Sequence, residues 1–205
     1  MFQHFNKIIF ILCILSMQIC WATNEATKHE ELANNPQTLK NQTIKKSQKT
    51  MNEVKIENIK DITVACIKHS GSYSKIGEAF DKLFFVAKES NLLNQNTPTI
   101  GIFYDNPNKT AEKNLRSKAC IVVDYNFEEK EGLEKVIIEG GKYGVYIHKG
   151  PYSQFKDIYD YLFYGVWLVQ NRQVLKQKPN FAEYLNSPKN TDPSELLTKI
   201  YIPLK

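Results

Sequence analysis

HSGSYSKIGEAFDKLF at 69–84 returns as HKGPYSQFKDIYDYLF at 148–163, 79 residues later. Seven of the sixteen paired positions are identical: His69/His148, Gly71/Gly150, Tyr73/Tyr152, Ser74/Ser153, Asp81/Asp160, Leu83/Leu162 and Phe84/Phe163. The apolar residues keep step as well. Ile76, Ala79, Phe80, Leu83, Phe84 and Ala87 fall at helical spacing, and Phe155, Ile158, Tyr159, Leu162, Phe163 and Val166 repeat it. Each set forms one face of an amphipathic helix, because residues three and four apart stack on one side. Ser74 and Ser153 stand where an N-cap hydroxyl is expected. Gly71 and Gly150 suit the turn that leads from a strand into each helix.

The pattern extends outward from this phrase. Ile62–Ile67 (ITVACI) and Tyr143–Ile147 (YGVYI) read as strands preceding the helices. After each helix comes a proline-bracketed run of equal length, PTIGIFYDNP at 98–107 and PNFAEYLNSP at 179–188. Each half closes with another strand, ACIVV at 119–123 and IYIPL at 200–204. Asp-Asn-Pro and Asn-Ser-Pro mark the turns between the last two strands. Each half therefore reads β-α-β-β, about 54–125 and 134–205. The expected fold is α+β: a duplicated β-α-β-β unit with pseudo-twofold symmetry and a central ligand groove. One such unit covers only one face of a small sheet and is marginal alone, so two copies gain by covering each other. A seam of that kind is a usual place for a ligand.

The first 52 residues are a different material. Lys7 precedes an apolar run from Ile8 to about Trp21, shorter than the roughly 18 residues of a membrane span. With Cys20-Trp21-Ala22 as a cleavage site it reads as a secretory signal over 1–22, and an uncleaved anchor is the alternative. Residues 23–52 are polar, rich in Lys and Asn and nearly free of apolar periodicity, which reads as a disordered tether. The expected location is periplasmic or secreted, without stable membrane insertion after signal cleavage. The remaining cysteines, Cys66 and Cys120, lie in apolar strand-like runs. In an oxidising compartment they can pair if close enough. The sequence alone cannot place the two strands side by side, so we read them as buried small hydrophobes. The net charge of +5 is too mild to indicate nucleic acid. No phosphate loop, nucleophile elbow, dinucleotide fingerprint or zinc-site spacing occurs.

The phrases IGIFYDNP (100–107), EKNLRSKACIVV (112–123), EGGKYGVYIHKGPY (139–152) and YLNSP (184–188) resemble the GyrI-like small-molecule-binding domain. That family includes the DNA gyrase inhibitor and effector-binding domains of AraC-type and MerR-type regulators. The resemblance covers about 53–205. It implies a duplicated β-α-β-β fold with a central groove for small organic molecules, apolar or cationic, and in some members a cyclopropane-opening hydrolase activity.

One departure bears on function. The family commonly carries Phe-Glu-x-Tyr-Leu-Asn, its Glu serving as counter-charge or acid/base group. Here the run is Phe181-Ala182-Glu183-Tyr184-Leu185-Asn186, which puts Ala182 at the Glu position. Glu183, one residue on, should face the other side of the strand. Gly101 and Phe103 are the mates of Ala182 and Tyr184. The candidate ligand-binding residues are Gly101, Phe103, Tyr104, Tyr146, Trp167, Ala182 and Tyr184, with core as the competing role for Tyr104, Tyr146 and Trp167. No catalytic residue, metal or cofactor is assigned. His69 and His148 read as hydrogen-bonding turn residues rather than haem ligands, Tyr73 and Tyr152 as packing residues, and Asp81 and Asp160 as a shared structural feature. The expected function is capture of a small apolar organic ligand by a monomer or weak dimer. A hydrolase and a protein–protein interaction module are the alternatives.

Overall fold

The computed structural model describes residues 54–205 except Glu131, with the side chains of 161–164 also left aside; the expected signal and tether lie outside these residues. Strands β1 (Lys55–Ile59) and β2 (Ile62–Ser70) precede helix α1 (Gly77–Glu89), followed by β3 (Thr99–Phe103) and β4 (Arg116–Val122). The second half runs β5 (Glu134–Ile138), β6 (Gly141–Lys149), a helical run α2 over 155–170, β7 (Asn180–Tyr184) and β8 (Leu197–Pro203). Within α2 the middle, Tyr159–Val166, is π-helical. All eight strands form one antiparallel sheet in the order β1-β6-β8-β7-β3-β4-β2-β5. Exchanging β1–β4 for β5–β8 and reading from the other end leaves that order unchanged.

Two of these strands are absent from the sequence reading. β1 and β5 give each half the order β-β-α-β-β. β1 pairs with β6 of the other half, and β5 with β2. They are the sheet's two ends and cross-link the halves. The centre is the β3–β7 pair, with Gly101 opposite Ala182.

The sheet has two distinct faces. On one, Val64, Cys66, Ile100, Ile102, Cys120, Tyr143, Val145, Phe181 and Tyr201 form a continuous core. The opposite face carries both helices. α1 lays Ala79, Leu83 and Ala87 against Ala65, Ala119 and Ile121 of β2 and β4. α2 lays Trp167 and Leu168 against Tyr146, Ile200 and Ile202 of β6 and β8. The Trp167 ring lies flush on Gly144, where a Cβ would meet it at 3.2 Å. The central strands thus sit on this face in the gap between the helices.

Two expectations are corrected. Cys66 and Cys120 form a disulfide, on the face away from the helices. They stand directly opposite in the β2–β4 ladder, with Cα atoms 4.1 Å apart. That is the narrow spacing of a non-hydrogen-bonded antiparallel pair, where side chains come closest. Ser74 and Ser153 are not N-caps. Each lies inside a 3₁₀ turn, Tyr73–Lys75 or Tyr152–Gln154, that leads into the helix without a side-chain cap. Gly71 and Gly150 do make the turns, with φ of +104° and +141°, values that side-chain-bearing residues rarely adopt. Their N–H groups donate to Leu115 and Leu196 carbonyls.

Candidate functional site

Strand alternation decides what the gap contains. On the helix side the central strands present Thr99, Gly101 and Phe103 from β3, and Asn180, Ala182 and Tyr184 from β7. None is a carboxylate or a cation. Gly101 and Ala182 form a flat floor. A Cβ on Gly101 would lie 3.0 Å from Tyr184 Oη and 3.1 Å from Phe103 Cζ, so the missing side chain is what lets both rings lie across the strand.

Around this floor stands a set of rings. Tyr184 meets Phe80 of α1 edge-on at 5.4 Å and Tyr152 of the second 3₁₀ turn at 5.4 Å. Tyr73 of the first 3₁₀ turn meets Phe103 edge-on at 5.0 Å. Tyr152 continues to Phe155, and Phe155 to His148, each at 5.5 Å. Edge-to-face contacts at these separations are favourable beyond the area they bury, by about 0.5–1.5 kcal/mol each. Burial pushes the Tyr184 phenol well above its usual range, and the neighbouring Tyr152 adds to it. Both effects favour the protonated phenol at any physiological pH, so the cage is uncharged.

The seven sequence candidates are divided by this geometry. Gly101, Phe103, Ala182 and Tyr184 come together as floor and walls. Tyr146 lies on the same face but is buried beneath α2 beside Ala182 and Ile200, and Trp167 is core over Gly144. Tyr104 is on the opposite face. It packs against the other core, with Arg116 and Lys118 over its ring. Alternation explains this, since Phe103 and Tyr104 are consecutive. Phe80, Tyr73 and Tyr152, read from sequence as scaffold, belong to the cage. Glu183 faces away as expected. It accepts a hydrogen bond from Tyr201 Oη at 3.1 Å on the far face.

The repeated aspartates tie the two halves together. Asp81 on α1 pairs with Lys189 in the β7–β8 loop at 3.1 Å. Asp160 on α2 accepts from Asn108 in the β3–β4 loop at 2.6 Å and pairs with Lys156 at 2.6 Å. Each loop therefore clasps the helix of the other half. The loops themselves are fixed by Asp105, which accepts from the Arg116 amide, and by Asn186, which accepts from the Leu197 amide, both at 2.8 Å. Arg116 beside Asp105 holds that carboxyl below its usual range. Among the described residues no group of three or more His, Cys, Asp or Glu is placed to hold a metal ion.

A concavity lies on the far face. It is an open cavity of about 120 Å³ lined by Ile102, Tyr104, Ile138, Tyr143 and Phe181, with the Glu139–Lys178 ion pair at its edge. It is separated from the cage by the thickness of the sheet.

Comparison with known proteins agrees with this architecture. A DNA gyrase inhibitor from Escherichia fergusonii is 27% identical over 139 residues, 66% of this chain and 88% of its own length. The corresponding inhibitor of Escherichia coli K12 is 27% identical over 115 residues, 55% of this chain and 71% of its own. Among solved structures, the EcmrR C-terminal domain aligns with a TM-score of 0.59 at 20% identity, covering 74% of this chain and 96% of that one. An uncharacterised conserved protein from Listeria innocua aligns with a TM-score of 0.59 at 10% identity, covering 75% and 92%. At such identities these two structures bear on the fold alone, a curled antiparallel sheet carrying a few helices. The model of the GyrI-like small molecule binding domain matches residues 52–205, three quarters of the sequence and all of the described fold, and the chain belongs to that family.

Proposed function

We propose that the chain is an exported protein that captures a small, uncharged hydrophobic molecule in the cage over β3 and β7. The observation that carries this is the composition of the central helix-side strip: Gly101 and Ala182 as floor, aromatic rings as walls, and no fixed charge. A cation would gain about 0.5–2 kcal/mol from each well-placed ring. It would also surrender its hydration without a counter-ion, which costs more. A flat apolar molecule gains the ring contacts without that penalty. The same lack of a titratable acid on the strip argues against a proton-transfer reaction there.

On this reading the two halves are copies of one unit related by a pseudo-twofold, and the cage is their seam. The invariance of the strand order under exchange supports this, as do the paired loop clasps on Asp81 and Asp160. Export is supported by the apolar leader at 1–22 and by the Cys66–Cys120 disulfide, a bond that persists in oxidising compartments. The released protein is a monomer or weak dimer.

The test is fluorescence titration with neutral N-phenyl-1-naphthylamine against cationic thioflavin T. The neutral probe is expected to bind at least tenfold tighter. A preference for the cation would overturn the reading. Native mass spectrometry of protein purified from the periplasm then identifies what it carries.

A further inference from the structure

The two halves differ in one buried detail beside the cage. Across the sheet, His69 stands opposite Ser117, and His148 opposite Thr198. In the first half the pair is closed: His69 Nδ1 and Ser117 Oγ are 3.0 Å apart. In the second it is open. Thr198 is wholly buried and its Oγ1 has no hydrogen-bond partner. His148 is also buried, with Nε2 3.4 Å from the Pro151 carbonyl and its ring against Phe155. Thr198 is directly opposite Tyr184 in the β7–β8 ladder, so the row His148–Thr198–Tyr184 runs along the helix-side face into the cage wall. The row continues through Thr99, Ile121 and Ala65, with no carboxylate or cation before Lys135 of β5 at the far end of the sheet.

A buried hydroxyl without a partner costs stability that a valine of the same shape would not. Such a group beside a binding cage is explained if the bound molecule supplies the partner. We propose that Thr198, with His148 beside it, is the anchor for a neutral hydrogen-bonding group, a carbonyl or hydroxyl, on the cage ligand. The assignment rests on the cage reading above and deepens it: the ligand is an apolar body with one uncharged polar end, directed at β8. A carboxylate or ammonium would be stranded there without a counter-charge. Burial holds the His148 imidazole below its usual range and therefore neutral at pH 7.

The probes are prodan, a neutral naphthalene carrying one ketone, and its analogue with propyl in place of propionyl. The unmodified protein is expected to bind prodan roughly five- to tenfold tighter than the ketone-free analogue, the value of one hydrogen bond. Prodan emission should shift to the red relative to an apolar solvent, as a hydrogen-bonded ketone does. Thr198→Val should abolish that preference and the shift while leaving the melting temperature equal or higher, and Thr198→Ser should retain both. Ser117→Ala, whose partner is His69, should leave the preference unchanged. Equal binding of the two probes, or a preference that survives Thr198→Val, overturns the anchor and leaves the cage intact. Binding of neither probe overturns the cage and the anchor together.

Discussion

Replacing both Cys66 and Cys120 by alanine should destabilise the fold by about 4 kcal/mol. The bond joins residues 54 apart in sequence. Closing a loop of that length removes about 14 cal/mol/K of chain entropy from the unfolded state, or roughly 4 kcal/mol at 25 °C. Both sulfurs are buried, so their loss also leaves small voids, which adds to the deficit. Against a typical total of about 5–15 kcal/mol this is a large fraction. For a domain of this size it corresponds to a fall in melting temperature of roughly 8–16 °C. The assay is urea unfolding followed by the fluorescence of buried Trp167, on protein lacking 1–22 and hence Trp21, without reductant. The urea midpoint should fall, and the unmodified protein treated with reductant should approach the variant. A loss below about 1 kcal/mol would refute the loop-closure reasoning. Two titratable thiols in the unfolded, unreduced protein would refute the bond itself, and with it one support for export.

Four further outcomes follow from the cage. Ala182→Glu places a carboxylate at a fully buried position without a cation beside it, so the acid's folded pKa rises. The variant should lose roughly 3 kcal/mol at neutral pH, regain it as pH falls and the acid protonates, and shift its probe preference toward thioflavin T. Gly101→Ala should cost about 1–3 kcal/mol by pushing on Tyr184 Oη, and adding Tyr184→Phe should recover part of it, a non-additivity read by a double-mutant cycle. Because the folded pKa of His148 is depressed, the unfolded chain takes up its proton first, and stability falls as pH drops below about 6.5. The slope is at most about 1.4 kcal/mol per pH unit, and His148→Gln should remove that component from the melting curves. Asp81→Ala and Asp160→Ala break exposed clasps and should each cost under about 1 kcal/mol in urea unfolding.

What the sequence disclosed, and what it withheld, divides along local and non-local lines. The helix faces were legible because Ala79, Leu83 and Ala87 obey a local period, and those residues are the ones buried. β3 and β7 were legible because prolines bracket them. β1 and β5 were not. KIENI and EKVII are short, and each pairs on one side only at the sheet's ends, so apolar alternation is weak. The disulfide was not legible because Cys66 and Cys120 become opposite only through the β2–β4 register. The separation of Tyr104 from Phe103 was there to be read, since alternation alone assigns them to different faces. The cage's outer walls were hidden for another reason. Phe80, Tyr73 and Tyr152 satisfy a packing pattern and also stand around the β3–β7 floor, and a packing pattern carries no mark of that second placement.

The differences between matched positions bear on where the proposed binding would be concentrated. Tyr73 and Tyr152 occupy the same place in the two halves. The Tyr73 hydroxyl is committed: it donates to the Asp105 carbonyl and accepts from the Asp105 amide. Tyr152 instead turns its ring to Tyr184 and Phe155. Phe103 has no hydroxyl where Tyr184 has one. Ser117 is closed onto His69 while Thr198 is open. In the Ser117/Thr198 comparison the first half has settled its hydroxyl within the fold, and the second has left it without a partner beside the cage. A scaffold needs the first arrangement at both ends. A site that recognises one end of an asymmetric molecule needs the two ends to differ, and the differences here all fall on the side of β6, β7 and β8. On the proposed reading, the ligand would therefore lie across the symmetric strand order in a single orientation, its apolar body toward Phe80 and Phe103 and its polar end toward Thr198.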